Sequence, residues 1–124
     1  MHGTSALYEA ARNGHEAVMD ILLENGASLC MDEGQAAAKL CSLIFDGDIL
    51  ALRRVLKAKI QVDAADYDKR TGAHIAAAEG NLTALKLLVE FGADLNLGDR
   101  WGNTVYDEAR RVSENALLEY LNGL

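Results

Sequence analysis

The chain has 124 residues, 50% hydrophobic but only 6% aromatic, and its 12 basic against 19 acidic side chains give a formal net charge of −7. That balance argues against nucleic acid or an anionic membrane as the partner, because both are bound through lysine and arginine that neutralise phosphate. No apolar run approaches the roughly 20 residues of a membrane span, and no basic end with an apolar stretch opens the chain, so a cytoplasmic protein without direct membrane insertion is expected.

The 20 alanines and 19 leucines are the composition of close-packed helices, with 11 glycines and no proline between them. Cys30 and Cys41 form no CxxC motif and read as two reduced small hydrophobes, neither a disulfide nor a zinc site.

Taken in order, the apolar residues fall into four pairs of helical stripes. Leu7, Ala10 and Ala11 form the first stripe, Gly14 breaks it, and Val18, Ile21, Leu22 and Leu23 form the second. Leu40, Leu43 and Ile44 precede Leu52, Val55 and Leu56. Ala73, Ala76 and Ala77 precede Leu85, Leu88 and Val89. Tyr106 and Ala109 precede Leu117, Leu118 and Leu121. Each helix is about ten residues or fewer, too short to be stable alone in water, so every hairpin must borrow its core from its neighbours.

The punctuation repeats with a period of 33: Gly14, Gly47 and Gly80 share one phase, continued by Ser113, and Gly26 and Gly92 share another with Lys59 between them. These positions fit a left-handed backbone, where a side chain is penalised. Asp66-Tyr67-Asp68-Lys69-Arg70-Thr71 and Asp99-Arg100-Trp101-Gly102-Asn103-Thr104 are again 33 apart. Thr71 and Thr104 stand where an N-cap hydroxyl belongs, and Thr104 with Asp107 resembles a capping box.

A helical hairpin and a turn every 33 residues resemble the ankyrin repeat. Gly3-Thr4-Ser5-Ala6-Leu7-Tyr8-Glu9-Ala10-Ala11-Arg12-Asn13-Gly14-His15 is similar to that family's G-x-T-P-L-H-x-A-A-x-x-G-H, as is Thr71-Gly72-Ala73-His74-Ile75-Ala76-Ala77-Ala78-Glu79-Gly80-Asn81. The resemblance implies an all-α solenoid of nearly four repeats joined by turn or β-hairpin-like loops. The units are approximately 1–34, 35–67 (degenerate), 68–100 and a C-terminal cap over 101–124. The family's proline slots hold Ala6, Lys39, Gly72 and Val105, which predicts softer helix starts. From Met31 to Ala38 an irregular or partly helical connection is expected in place of a regular finger. Leu7, Ala10 and Val18 are expected to lie open at the N-terminal end, as in a chain trimmed from a longer one. Residues 47–109 also resemble the ankyrin tails of glutaminases, of plant outward-rectifying potassium channels and of ankyrin-bearing asparaginases. In all of these the repeats are an appended module, so the likeness carries no amidohydrolase or channel activity with it.

No phosphate loop, HExxH motif or zinc-spaced Cys/His cluster is present, and no catalytic residue, metal or cofactor is expected. His74, three residues after Thr71, reads as a hydrogen bond tying loop to helix start. A protein partner of unknown identity is expected instead, bound by a concave surface of turn tips and first-helix faces, with self-association through array ends or convex faces as the alternative. The candidate partner-binding residues are Tyr67, Lys69, Arg70, Arg100, Trp101 and Asn103 at two tips, aromatics with arginine being common at interface hot spots. The competing reading has Asp66, Arg70, Asp99, Arg100 and Trp101 bind one another between adjacent turns. Phe45, in the repeat phase of Ala78, is either an exposed anchor or filler beneath the degenerate turn.

Overall fold

The computed structural model describes residues 6–27, 29, 31–112 and 115–124. Among these the chain forms eight helices: α1 (Ala6–Asn13), α2 (Glu16–Glu24), α3 (Glu33–Asp46), α4 (Ile49–Lys57), α5 (Gly72–Ala78), α6 (Leu82–Glu90), α7 (Val105–Val112) and α8 (Asn115–Asn122). The consecutive helices pair as hairpins, and α1 also packs on α4, α3 on α5, α4 on α6 and α5 on α7. Each short helix is therefore held by its hairpin partner, and α1, α3, α4, α5, α6 and α7 also by a neighbouring unit of the stack.

The 33-residue register becomes rows of buried side chains. Leu7, Leu40 and Ala73 form one row, Ala11, Ile44 and Ala77 a second, and Met19, Leu52 and Leu85 a third, all buried. Burying a leucine or methionine contributes about 2 kcal/mol, so the rows hold the stack together without a central core. Ala51 on α4 and Ala84 on α6 are wholly buried, small residues where a larger side chain would have to displace its neighbours.

Several helix starts carry side-chain caps. Thr71 and His74 form a reciprocal capping box at α5, Asp48 accepts from the Ala51 N–H at α4, and Asn81 accepts from the Ala84 N–H at α6. At α7 the backbone N–H of Thr104 donates to Asp107 Oδ2 at 2.9 Å. At the slots of Gly72 and Val105 the helix start is thus anchored and not soft, Lys39 falls inside α3, and the residues before Ala6 lie outside the described ones. In the slot of Gly72 a Cβ would lie 3.2 Å from Ile44 Cδ1, so that position has closed around a glycine.

From Met31 to Ala38 the expected partly helical course in place of a finger is found, while the open N-terminal face needs correction at Leu7 and Ala10. Over the degenerate stretch the chain is a regular helix from Glu33, started by a capping box between Asp32 and Gln35, which makes α3 14 residues long against seven to nine elsewhere. At the N-terminal end Leu7 and Ala10 are buried, because α1 packs on both α2 and α4, whereas Val18 and Ile21 are the exposed ones. The register explains the difference. Arg54 occupies the phase of Ile21 in the next unit and reaches back to donate to the Ala11 carbonyl, so this side of a second helix faces the preceding hairpin.

Candidate partner-binding surface

Two fingers project from the stack, each shaped by one aspartate. In the first, Asp66 Oδ1 accepts from the backbone N–H groups of Asp68 (2.9 Å) and Arg70 (3.0 Å), while Ala65 and Thr71 close the base as an isolated antiparallel bridge. In the second, Asp99 Oδ1 accepts from the N–H groups of Trp101 and Asn103, both at 2.9 Å. Burial acts to raise the Asp99 carboxyl, but these two N–H bonds and the neighbouring His74 and Arg70 outweigh it and hold it below the ordinary carboxylate range. Both aspartates are therefore structural, as their spacing from the tip amides requires.

The fingers are fastened to each other. The Arg100 N–H donates to the Asp68 carbonyl at 2.8 Å, and its guanidinium lies 3.2 Å from Asp68 Oδ1. Buried His74 accepts from Thr71 at Nδ1, which places its proton on Nε2, and Nε2 donates to the Asn103 carbonyl at 2.9 Å. The histidine expected to tie one loop to its own helix thus joins two fingers. Below them the Arg70 guanidinium sits 3.8 Å from the carboxylate of Glu108, a side chain only 1% exposed that Arg111 also contacts.

The candidate residues divide accordingly. Arg70, Arg100 and the Asn103 backbone are committed to contacts between fingers or with α7. Tyr67 is fully exposed, Trp101 is 64% exposed with the Arg100 guanidinium 5.6 Å from its ring centre, and Lys69 is exposed. Phe45 is 59% exposed on α3, so it is on the surface and not filler beneath the turn. Glu108, the buried charge beneath both fingers, was not singled out by sequence pattern; its only signal is a carboxylate three residues before an arginine on an apolar helix face.

Lys69 and Gly102 share a left-handed backbone, at φ 62° and 82°, and Lys59 joins Gly26 and Gly92 in the same way at φ 70°, 83° and 93°. The glycine phases therefore mark backbone conformation even where a lysine occupies the slot. Ser113 and Cys30 lie outside the described residues, and Cys41 is a free thiol. Among the described residues no cluster of three or more His, Cys, Asp or Glu could hold a metal ion, and no helix is long and apolar enough to cross a membrane.

A stack of short helical hairpins, joined by loops that point to one side at a fixed period, defines a repeat solenoid, a class that works through extended surfaces. The chain belongs to the ankyrin repeat family: the pattern of ankyrin repeats in many copies matches residues 55–109, and that of the single ankyrin repeat matches residues 2–33. Ankyrin repeats are protein-interaction modules, and the relatives are larger proteins that carry them. The chain is 43% identical over 86 residues to potassium channel KOR2 of Oryza sativa subsp. japonica, covering 69% of this chain and 12% of the channel. It is 42% identical over 82 residues to potassium channel GORK of Arabidopsis thaliana, covering 66% of this chain and 10% of the channel. Against the mitochondrial liver isoform of glutaminase from Rattus norvegicus it is 42% identical over 79 residues, 62% of this chain and 13% of that protein. The chain thus spans about a tenth of the length of these relatives.

Proposed function

We propose that the chain is a non-catalytic, cytoplasmic module that binds a protein partner through its two finger tips. Its repeat units run approximately over 1–34, 35–67, 68–100 and 101–124. The observation that carries the reading is the mutual locking of the fingers, which presents Tyr67 and Trp101 outside the fold on a backbone already fixed. A tip that loses little freedom on binding wastes little of its contact energy, and exposed aromatics make suitable anchors. Lys69 and Phe45 extend the surface, while Arg70, Arg100 and Asn103 support it. The likeness to channels and glutaminase fits an appended recognition module of such a protein.

The test is an affinity capture with the whole chain and with a Tyr67→Ala/Trp101→Ala double variant, each checked by circular dichroism for unchanged folding. Specific partners retained by the parent and lost by the folded double variant support the reading. Identical capture by both overturns it. A second reading, self-association as an assembly tail, is favoured by Val18 and Ile21, 51% and 57% exposed on α2 although Ala51 and Ala84, in the phase of Val18, are wholly buried. Sedimentation velocity of the parent and of Ile21→Ser separates the two, since only self-association through α2 predicts a larger species that the variant loses.

A further inference from the structure

Residues 33–38 stand one period before the finger at 66–71, but they form the first turns of α3. The helix lies beside the finger, and the Ala65 N–H donates to Glu33 Oε2 at 3.2 Å. An open groove of about 980 Å³ runs between them. Its floor is uncharged and small, with Ala38, Cys41 and Ala65, and Tyr67 stands at its edge. Exposed Phe45 follows one helical turn beyond Cys41 on α3, outside the groove's lining but within reach of a segment that runs along the helix.

The rim decides what the groove fits. Asp32, Glu33 and Asp66 line it, and none of the ion pairs among the described residues involves any of the three. Their oxygens accept backbone N–H bonds, which fixes their positions without cancelling their charge. The guanidinium of Arg70, on the same finger as Asp66, is paired with Glu108. From Gly34 to Phe45 the helix runs about 16 Å, the length of roughly five extended residues.

Resting on the interaction-module reading above, we propose that this groove receives a short cationic segment of a partner protein. An apolar side chain of that segment lodges against Ala38 and Cys41 beside Tyr67, and flanking lysine or arginine side chains meet Asp32, Glu33 and Asp66. An acidic segment is rejected by the same three carboxylates, and the apolar floor gives a purely polar one nothing to bury.

The test is a selection of short displayed random peptides on the whole chain, followed by affinity measurements on the enriched peptide. Two variants report on the groove. Ala38→Arg obstructs the floor and places a positive charge there at an exposed position, and Glu33→Gln removes one rim charge while keeping an oxygen to accept from Ala65. Trp101→Ala reports on the second finger, and thermal melting confirms that each variant is folded. The expected consensus is basic with one apolar residue; Ala38→Arg weakens its binding by about tenfold or more, Glu33→Gln by about threefold, Trp101→Ala by less than about twofold, and added salt weakens it throughout. An acidic or uncharged consensus, no enrichment, or binding indifferent to Ala38→Arg overturns the proposal. Binding lost in Trp101→Ala but kept in Ala38→Arg overturns it too, while leaving the finger-tip reading standing.

Discussion

Lys59 and Lys69 occupy left-handed positions whose register mates are glycines, so glycine should stabilise the protein at both. An L-residue in this region costs about 1–2 kcal/mol relative to glycine, while glycine's extra freedom in the unfolded chain returns about 0.5–1 kcal/mol of that. The net gain expected for Lys59→Gly or Lys69→Gly is roughly 0.5–1 kcal/mol each. Neither change removes packing, because both side chains are exposed, and both keep their turn bonds, Lys59 N–H to the Leu56 carbonyl and Lys69 N–H to the Asp66 carbonyl. Alanine is the informative comparison: it loses the lysine side chain and keeps the backbone cost. Equilibrium urea unfolding, followed by far-ultraviolet circular dichroism and by Trp101 fluorescence, should rank glycine above alanine at each site, with the double glycine variant gaining about the sum. On heating, each gain of that size raises the melting temperature by roughly 2–5 °C. If glycine is no better than alanine at both positions, the register does not set the backbone there and the reasoning fails.

His15 occupies the cap slot that Asp48 and Asn81 fill one and two periods later, yet makes no side-chain cap bond, so His15→Asp should stabilise α2 by about 1 kcal/mol in the same urea assay. Burial pushes the Cys41 thiol from its ordinary 9.0 up to about 11, with Asp66 acting in the same direction and Arg70 against it. Because the folded state holds that proton more tightly, the contribution to stability is complete below pH 9.0 and is lost as the pH rises to about 11, a loss that Cys41→Ala should lack. The rate of Cys41 alkylation by iodoacetamide should accordingly keep climbing above pH 9.0, and a plateau already reached there would contradict the burial argument.

The regular part of the fold is legible in the sequence because one period carries several independent signals. Glycine phases, apolar stripes and finger ends agree, and the buried rows through Leu40, Leu52 and Leu85 follow directly. At the N-terminal end Val18 is open as expected, but Leu7 and Ala10 are buried, because a stripe shows that a face is apolar and not which neighbour covers it. Over Met31–Ala38 the loss of the finger and a partly helical course were legible, but not the exact start of α3, which the local residues Asp32-Glu33-Gly34-Gln35 set with a capping box. At the surface, sequence could nominate Tyr67, Arg70, Arg100 and Trp101 together but could not separate anchors from fasteners. That separation depends on distances across the period, such as the one joining Arg100 to Asp68, which no local pattern encodes.

The exposure of Tyr67 and the groove beside it have one cause. Arg100 in the second finger reaches back 32 residues to Asp68 in the first, through both its backbone and its side chain. The same step back from Tyr67 leads to Gln35. There the chain is helical and carries no finger, and the Gln35 side chain is occupied in accepting from the Asp32 N–H at 3.1 Å. Tyr67 therefore has no preceding finger to join and stands free, although its own loop is fixed by Asp66. Removing the finger also uncovers the side of the next one, which is the wall of the groove, and leaves Asp32 and Glu33 at its rim as the first residues of a helix. Negative charge is favourable at that helix end whether or not a partner is bound, so the fold can keep an acidic rim without a cation to neutralise it. The irregular repeat thus accounts together for an exposed aromatic, a groove and an acidic rim, in the unit where the family pattern is weakest.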